Sequence, residues 1–232
     1  MDFADSLKTA IHPPHRAGYP FILGGLVLAV LGLLFWHILG WAGLIFTLFC
    51  LYFFRDPERV APPRVNVFLA PADGLVTSIE PAIPPPELGL PPVPMMRVAT
   101  FLSVLDVHVN RAAIAGTVAR IAYHPGLFLN AAAEKAADEN ERNAILFHLP
   151  NGAEAVIVQI AGLIARRIVC DLHEGQVVAA GQRIGIIRFG SRTDLYLPPG
   201  CLPLVAVGQR MIGGETVIAE LMPAVTAPLP AR

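Results

Sequence analysis

Lysine is almost missing from this chain. Only Lys8 and Lys135 are lysines, against fifteen arginines. Enzymes of amine chemistry commonly hold pyridoxal phosphate on a lysine, and carrier domains attach lipoyl or biotin to one. Lys8 lies in the N-terminal flank and Lys135 in a polar stretch, so neither suits either task. Charge of any kind is also sparse, at 15% of residues where ordinary domains have about 25%. The net charge of −1 gives no basic surface for phosphate backbones, so no nucleic-acid partner is expected. Cys50, Cys170 and Cys201 are odd in number and widely spaced, which excludes a disulfide framework and a cysteine metal site. No GxGxxG, Walker loop or HExxH occurs, so neither a nucleotide nor a metal is expected.

What the chain has instead is apolar length. It is 54% hydrophobic with a mean hydropathy of +0.57. After a polar flank (1–19), Phe21 to Phe54 runs without one formal charge. That is too long for a secretory signal, whose apolar core has about 7–15 residues. As one straight helix it would reach about 50 Å, against a hydrocarbon core of about 30 Å. Two short helices, Phe21–Trp36 and Leu39–Phe54, meeting near His37 and Gly40, fit better. Lys8 and Arg16 precede the run and Arg55, Arg59 and Arg64 follow it, so a membrane hairpin over 20–54 keeps both basic flanks on the cytoplasmic side. Shallow re-entrant insertion is the alternative.

Residues 55–222 have the composition of a globular domain. Pro57, Pro62 and Pro63 stop any helix leaving the apolar run. Strands are expected at Val65–Ala70, Leu75–Ile79, Met96–Leu102, Gly116–His124, Ile145–Leu149, Ala155–Ile160, Arg167–Cys170, Val177–Val178, Arg183–Ile187 and Leu195–Leu197. Seven prolines within 81–94 predict a stiff surface excursion outside the core. Ala131–Glu141 predicts one short polar helix. The fold class is therefore mainly β, a compact β-sandwich or barrel-sandwich-like domain behind an N-terminal membrane hairpin. A Val-x-x-Gly-Gln-Arg core recurs at Val178–Arg183 and Val205–Arg210, like the turns of lipoyl and biotin carriers. Residues 223–232, rich in Pro and Ala, are expected to be a disordered tail.

Several segments, in order, carry a resemblance. They are FFRDPERVAP (53–62), APADG (70–74), FLSVLDVHVNR (101–111), ENERN (139–143) and DLHEGQVVAAGQRIGIIRFGSRTDLYLP (171–198). Together they resemble the phosphatidylserine decarboxylase proenzymes, of the short bacterial membrane-bound type. The Gly190–Ser191 dipeptide alone would read as a turn; within this set it marks a self-cleavage site.

The resemblance implies that Ser191 attacks the Gly190 carbonyl and that β-elimination separates a β chain (1–190) from an α chain (191–232). Ser191 is left as a covalent pyruvoyl (pyruvate) group. That carbonyl would form a Schiff base with the amine of phosphatidylserine in the bilayer, giving phosphatidylethanolamine and CO2. A lysine-poor chain suits this chemistry, since the electrophile comes from its own backbone. The resemblance further implies an Asp–His–Ser triad, onto which Asp73, His108 and Ser191 map. Longer relatives carry a second histidine where this chain has Arg111, so His108 is expected to serve both self-cleavage and decarboxylation, with His124, His148 and His173 in reserve. Arg111 is a candidate for the substrate phosphodiester. The expected setting is a bacterial cell membrane with the catalytic domain on the cytoplasmic side. The competing reading is a non-catalytic membrane-anchored adaptor built on a barrel-sandwich domain.

Overall fold

The computed structural model describes residues 12–126, 140–162, 167–188 and 190–221. The apolar run folds as two antiparallel helices, α1 (Tyr19–Phe35) and α2 (His37–Phe53), broken at Trp36, whose φ of −155° and ψ of 97° are extended. Small residues set how closely they approach. A Cβ placed on Gly32 would lie 2.3 Å from the Gly40 nitrogen, and one on Gly43 would lie 2.5 Å from the Ala29 nitrogen. The helices thus touch backbone to backbone, the packing that small residues permit in a lipid environment. Their outer faces expose Leu23, Leu34, Phe35, Ile38 and Ile45. Arg16–Phe35 is long and apolar enough to cross a membrane.

Thirteen described strands follow: β1 (Val67–Leu69), β2 (Gly74–Ala82), β3 (Met95–Leu102), β4 (Val109–Arg111), β5 (Gly116–His124), β6 (Arg142–His148) and β7 (Glu154–Ala161) in the first part, then β8 (Ile168–Cys170), β9 (Val177–Val178), β10 (Arg183–Ile187), β11 (Ser191–Leu197), β12 (Arg210–Met211) and β13 (Val217–Glu220). Eight form a curled sheet in the order β12-β2-β3-β11-β7-β6-β5-β9. A three-stranded sheet, β4-β10-β8, and a two-stranded one, β1-β13, complete the domain. All pairings are antiparallel. The mainly β fold behind a helical hairpin is as expected. The polar helix and the tail expected at 131–141 and 223–232 fall largely on 131–139 and wholly on 223–232, outside the described residues.

Alternation along β11 divides its side chains between two apolar layers. Leu195 and Leu197 enter the main core with Phe68, Val98, Ile145, Phe147, Ile157 and Ile184, while Tyr196 faces a second cluster with Val156, Val158 and Ile160. The proline-rich excursion roofs that second cluster and contributes Leu88, which is 3% exposed. This corrects the expectation that the excursion stays out of the core: it buries the sheet's other face.

The Gly-Gln repeat is a structural repeat. Gly181 and Gly208 have φ of +76° and +88°. Gln182 and Gln209 turn their Oε1 atoms back to accept from the Ala179 and Ala206 amides (3.0 and 3.1 Å). Gly175-Gln176 makes the same turn, with φ +82° at the glycine and Gln176 Oε1 accepting from the His173 amide at 3.2 Å.

Candidate active site

Ser191 opens β11, the strand flanked on one side by β3 and on the other by β7. It pairs with Leu102 and Ala161, and six further β11 residues continue the β3 register. The serine is 0% exposed, and its Oγ has no hydrogen-bond partner among the described residues. A buried hydroxyl without a partner is costly in a finished fold. Here it is placed beside the one peptide bond it would have to attack. Gly190 has φ +77°, in the left-handed region glycine enters without a Cβ penalty. Space around it is not limiting, since the nearest atom to an added Cβ is Val104 Cγ2 at 3.9 Å. The backbone angle selects glycine.

His108 stands at the start of β4, behind a tight loop closed by the Asp106 amide donating to the Ser103 carbonyl (2.9 Å) and the Ser103 amide donating to Asp106 Oδ2 (2.8 Å). Its ring is buried against Phe53 with centroids 4.2 Å apart. Two neighbours fix the tautomer. Nδ1 lies 2.9 Å from the Asp106 carbonyl, which can only accept, and Nε2 lies 3.3 Å from the Gly190 amide, which can only donate. Nδ1 therefore carries the proton and Nε2 presents a lone pair at the Gly190–Ser191 segment. Burial lowers the His108 pKa to about 4, against a smaller upward pull from the Asp106 carbonyl and charge. The imidazole is neutral at neutral pH, the state a base requires.

The Gly190 carbonyl is held as well: it accepts from the Gly162 amide at 3.2 Å. Ser191, His108 and the Gly190 carbonyl thus meet on one small patch where β4, β7 and β11 converge.

Asp73 lies in the turn entering β2. Its Oδ2 pairs with Arg59 at 2.8 Å and its Oδ1 accepts from the Gly213 amide at 2.8 Å. Burial raises its pKa, opposed by that amide and by Arg59. The group behind the His108 ring is the Asp106 carbonyl, so Asp73 is brought to the neighbourhood but to other partners. Arg111 is 5% exposed, and its guanidinium donates to the Pro57 carbonyl (2.8 Å) and the Gly181 carbonyl (3.0 Å), with Asp56 at 3.5 Å. It fastens the segment leaving the hairpin to the domain. The reserve histidines lie elsewhere: His124 faces Glu87, His148 faces Glu154, and His173 is in a Gly-Gln turn.

Three contributors escaped the sequence reading. Phe53, read as the end of the apolar run and the start of the FFRDPERVAP segment but given no role at the site, packs on the His108 ring. Asp106 acts through its main-chain oxygen, for which no side-chain signal exists. Gly162 acts through its amide, equally silent in sequence. The FFRDPER stretch is a clamp as well as an exit: Asp56 and Glu58 bind Arg183, and Arg59 binds Asp73.

The chain is similar to proteins of one family. The family described as phosphatidylserine decarboxylase matches residues 46–219. The phosphatidylserine decarboxylase proenzyme of Granulibacter bethesdensis is 61% identical over 223 residues, covering 96% of this chain and 91% of the relative. Those of Gluconacetobacter diazotrophicus and Gluconobacter oxydans are 58% and 56% identical, each over 95% of this chain and 100% of the relative.

Proposed function

This chain belongs to the phosphatidylserine decarboxylase family, and from that premise we propose that it is made as a proenzyme that cuts itself at Gly190–Ser191 and then decarboxylates phosphatidylserine. Family membership removes the non-catalytic adaptor reading. The observation that carries the proposal is the buried, unpartnered Ser191 Oγ adjoining a left-handed glycine whose amide meets a neutral His108 Nε2.

Self-cleavage follows from these groups. His108 exchanges its contact with the Gly190 amide for the Ser191 hydroxyl and takes its proton. Oγ bonds to the Gly190 carbonyl carbon, the C–N bond to Ser191 breaks, and the proton passes to the freed nitrogen, leaving an ester. Loss of the Ser191 α-proton then expels Gly190 as a carboxylate, and the dehydroalanine at 191 reacts with water to give ammonia and a pyruvoyl terminus. Asp73 is the proposed third member, and to act in the cut its carboxyl must leave Arg59 and the Gly213 amide for the histidine beforehand.

The site suits a pyruvoyl group. Consuming the Ser191 hydroxyl breaks no hydrogen bond, because Oγ makes none. The group supplies a carbonyl that condenses with the lipid amine and accepts the electron pair released as CO2 departs. His108 Nε2 would take the proton that the lipid ammonium loses on condensing and return it to the carbon that CO2 leaves, with the ring fully buried against Phe53.

The hairpin is proposed to sit in the cytoplasmic leaflet side of a bacterial membrane, with the catalytic domain in the cytoplasm. Its domain end carries Tyr19, Tyr52 and Arg55, and its far end Trp36 and Trp41, the aromatic placement of membrane interfaces. Because α2 ends at the residue that covers His108, the base lies at headgroup depth. The decisive experiment is the intact mass of the expressed protein. Two fragments, 1–190 and a blocked 191–232, are expected, and Ser191→Ala should leave one uncut, inactive chain. An active wild-type chain of full mass would refute the mechanism.

A further inference from the structure

The β7–β11 ladder does not stop where the strands do. Ser191 pairs with Ala161, and one step further in the same register the Gly162 amide donates to the Gly190 carbonyl at 3.2 Å. The other half of that pair is replaced, since the Gly190 amide is turned to His108 Nε2. The scissile carbonyl is therefore gripped by a main-chain donor on one strand while its own amide is gripped by the base on another.

We infer that the Gly162 amide is the oxyanion donor of self-cleavage, a catalytic group of the main chain. The inference rests on the self-cleavage reading above. When Ser191 Oγ adds to the Gly190 carbon, the carbonyl π electrons move onto the Gly190 oxygen. The negative charge develops on the atom that already accepts from Gly162. The donor is preorganised, because Gly162 continues a strand held by consecutive pairs to β11 and to β6. Gly162 and Ser191 are buried and Gly190 is half-buried, so the donor itself is shielded from water where it meets the developing charge. Collapse of the same intermediate breaks the Gly190–Ser191 C–N bond and restores the carbonyl as an ester, which keeps the atom and electron balance without another reactant. A bond in the ground state that strengthens as charge develops accelerates the step. An ordinary ladder rung would not.

The two cases separate by experiment. Cell-free translation with glycolic acid in place of Gly162 exchanges the donating N–H for an ester oxygen in the full chain, with detergent micelles present and cleavage followed on denaturing gels. Removing the donor is expected to slow cleavage by about 100-fold or more. The fraction that does process should then decarboxylate phosphatidylserine with wild-type kcat/KM, since the Gly190 carbonyl no longer takes part. The ester also weakens the Ala161 carbonyl, which accepts from Asn140 Nδ2 at 2.8 Å. Asn140→Ala removes that bond while leaving the Gly162 amide in place, and should cleave near the wild-type rate. Cleavage of the ester protein within about threefold of wild type, or an equal slowing in Asn140→Ala, overturns the role of Gly162 while leaving self-cleavage intact. A wild-type chain that never cleaves overturns both.

Discussion

At the residue scale the proposed chemistry turns on how His108 is housed. Phe53 covers its ring and burial holds its pKa at about 4, well below the ordinary value near 6.5. A base that must be neutral stays so far into acid. Self-cleavage of freshly translated chain should therefore be level from neutral pH down to about 5 and fall only as pH approaches 4. An inflection near 6.5 in a stopped-time cleavage assay would show that the ring is not desolvated during the reaction. Stability responds to the same proton in the same direction but over a wider window. Between pH 6.5 and 4 the unfolded chain binds a proton that the native His108 refuses, so stability falls as pH drops through this window and rises with pH across it. The full effect is on the order of 3 kcal/mol. His15, also lowered by burial, acts in the same direction. In the uncleaved Ser191→Ala chain, His108→Gln should flatten the pH dependence of the denaturant midpoint between 6.5 and 4.

At the scale of elements, two packings invite direct tests. The hairpin tolerates side chains only where its helices part. Gly43→Val would drive a Cβ into the Ala29 backbone, whereas an added Cβ on Gly24 meets nothing within 4 Å. Overpacking of this kind costs roughly 1–3 kcal/mol. Gly43→Val should thus lower the thermal midpoint of helical circular dichroism in micelles, with Gly24→Val close to wild type. On β11, the face opposite Ser191 carries Arg192 and Asp194 in a bidentate pair at 2.6 and 2.9 Å, both at most 4% exposed. Arg97 and Glu80 extend the pair toward the strand edge. Asp194→Asn would leave the buried guanidinium without its counter-charge, a loss of about 3–5 kcal/mol. Chemical denaturation of the Ser191→Ala background measures it as a single-chain equilibrium.

At the scale of the whole molecule, the proposed cut falls at the start of a strand enclosed by two others. Residues 191–232 would keep β11 hydrogen-bonded between β3 and β7, with β13 paired to β1 and β12 to β2. The two fragments should co-elute in size-exclusion chromatography under native conditions and separate only in denaturant. Elution of a free small fragment from native enzyme would mean that β11 leaves its sheet after cleavage. The hairpin is equally built in, since Phe53 and Phe54 are 0% exposed in a cluster with Val107, Val109 and Ile186. A chain truncated before residue 55 would lose a wall of the active site together with its anchor.

Most strands were legible from the sequence because apolar alternation and glycine turns are local signals. Gly116–His124, Val177–Val178 and Arg183–Ile187 fall on the residues expected. β4, β12 and β13 were not foreseen, because each has only two to four residues and exists through a distant partner. Of the candidate site, Ser191, Gly190 and His108 were named in advance and do converge. Asp73 and Arg111 were named by motif, but their partners here, Arg59, Gly213, Pro57 and Gly181, lie across the fold and leave no trace in spacing.

The order of residues by itself determined that this protein has an uncharged helical pair, a glycine able to hold a left-handed angle before a serine, and almost no lysine with which to do amine chemistry. Only the tertiary structure decided that the proposed base is buried against a phenylalanine from the hairpin, that its tautomer is set by a main-chain oxygen, and that the bond proposed to be cut ends a ladder. The reason is physical: backbone angles and apolar periodicity are properties of neighbouring residues, whereas desolvation and hydrogen-bond direction depend on which distant atoms the fold brings within a few ångströms.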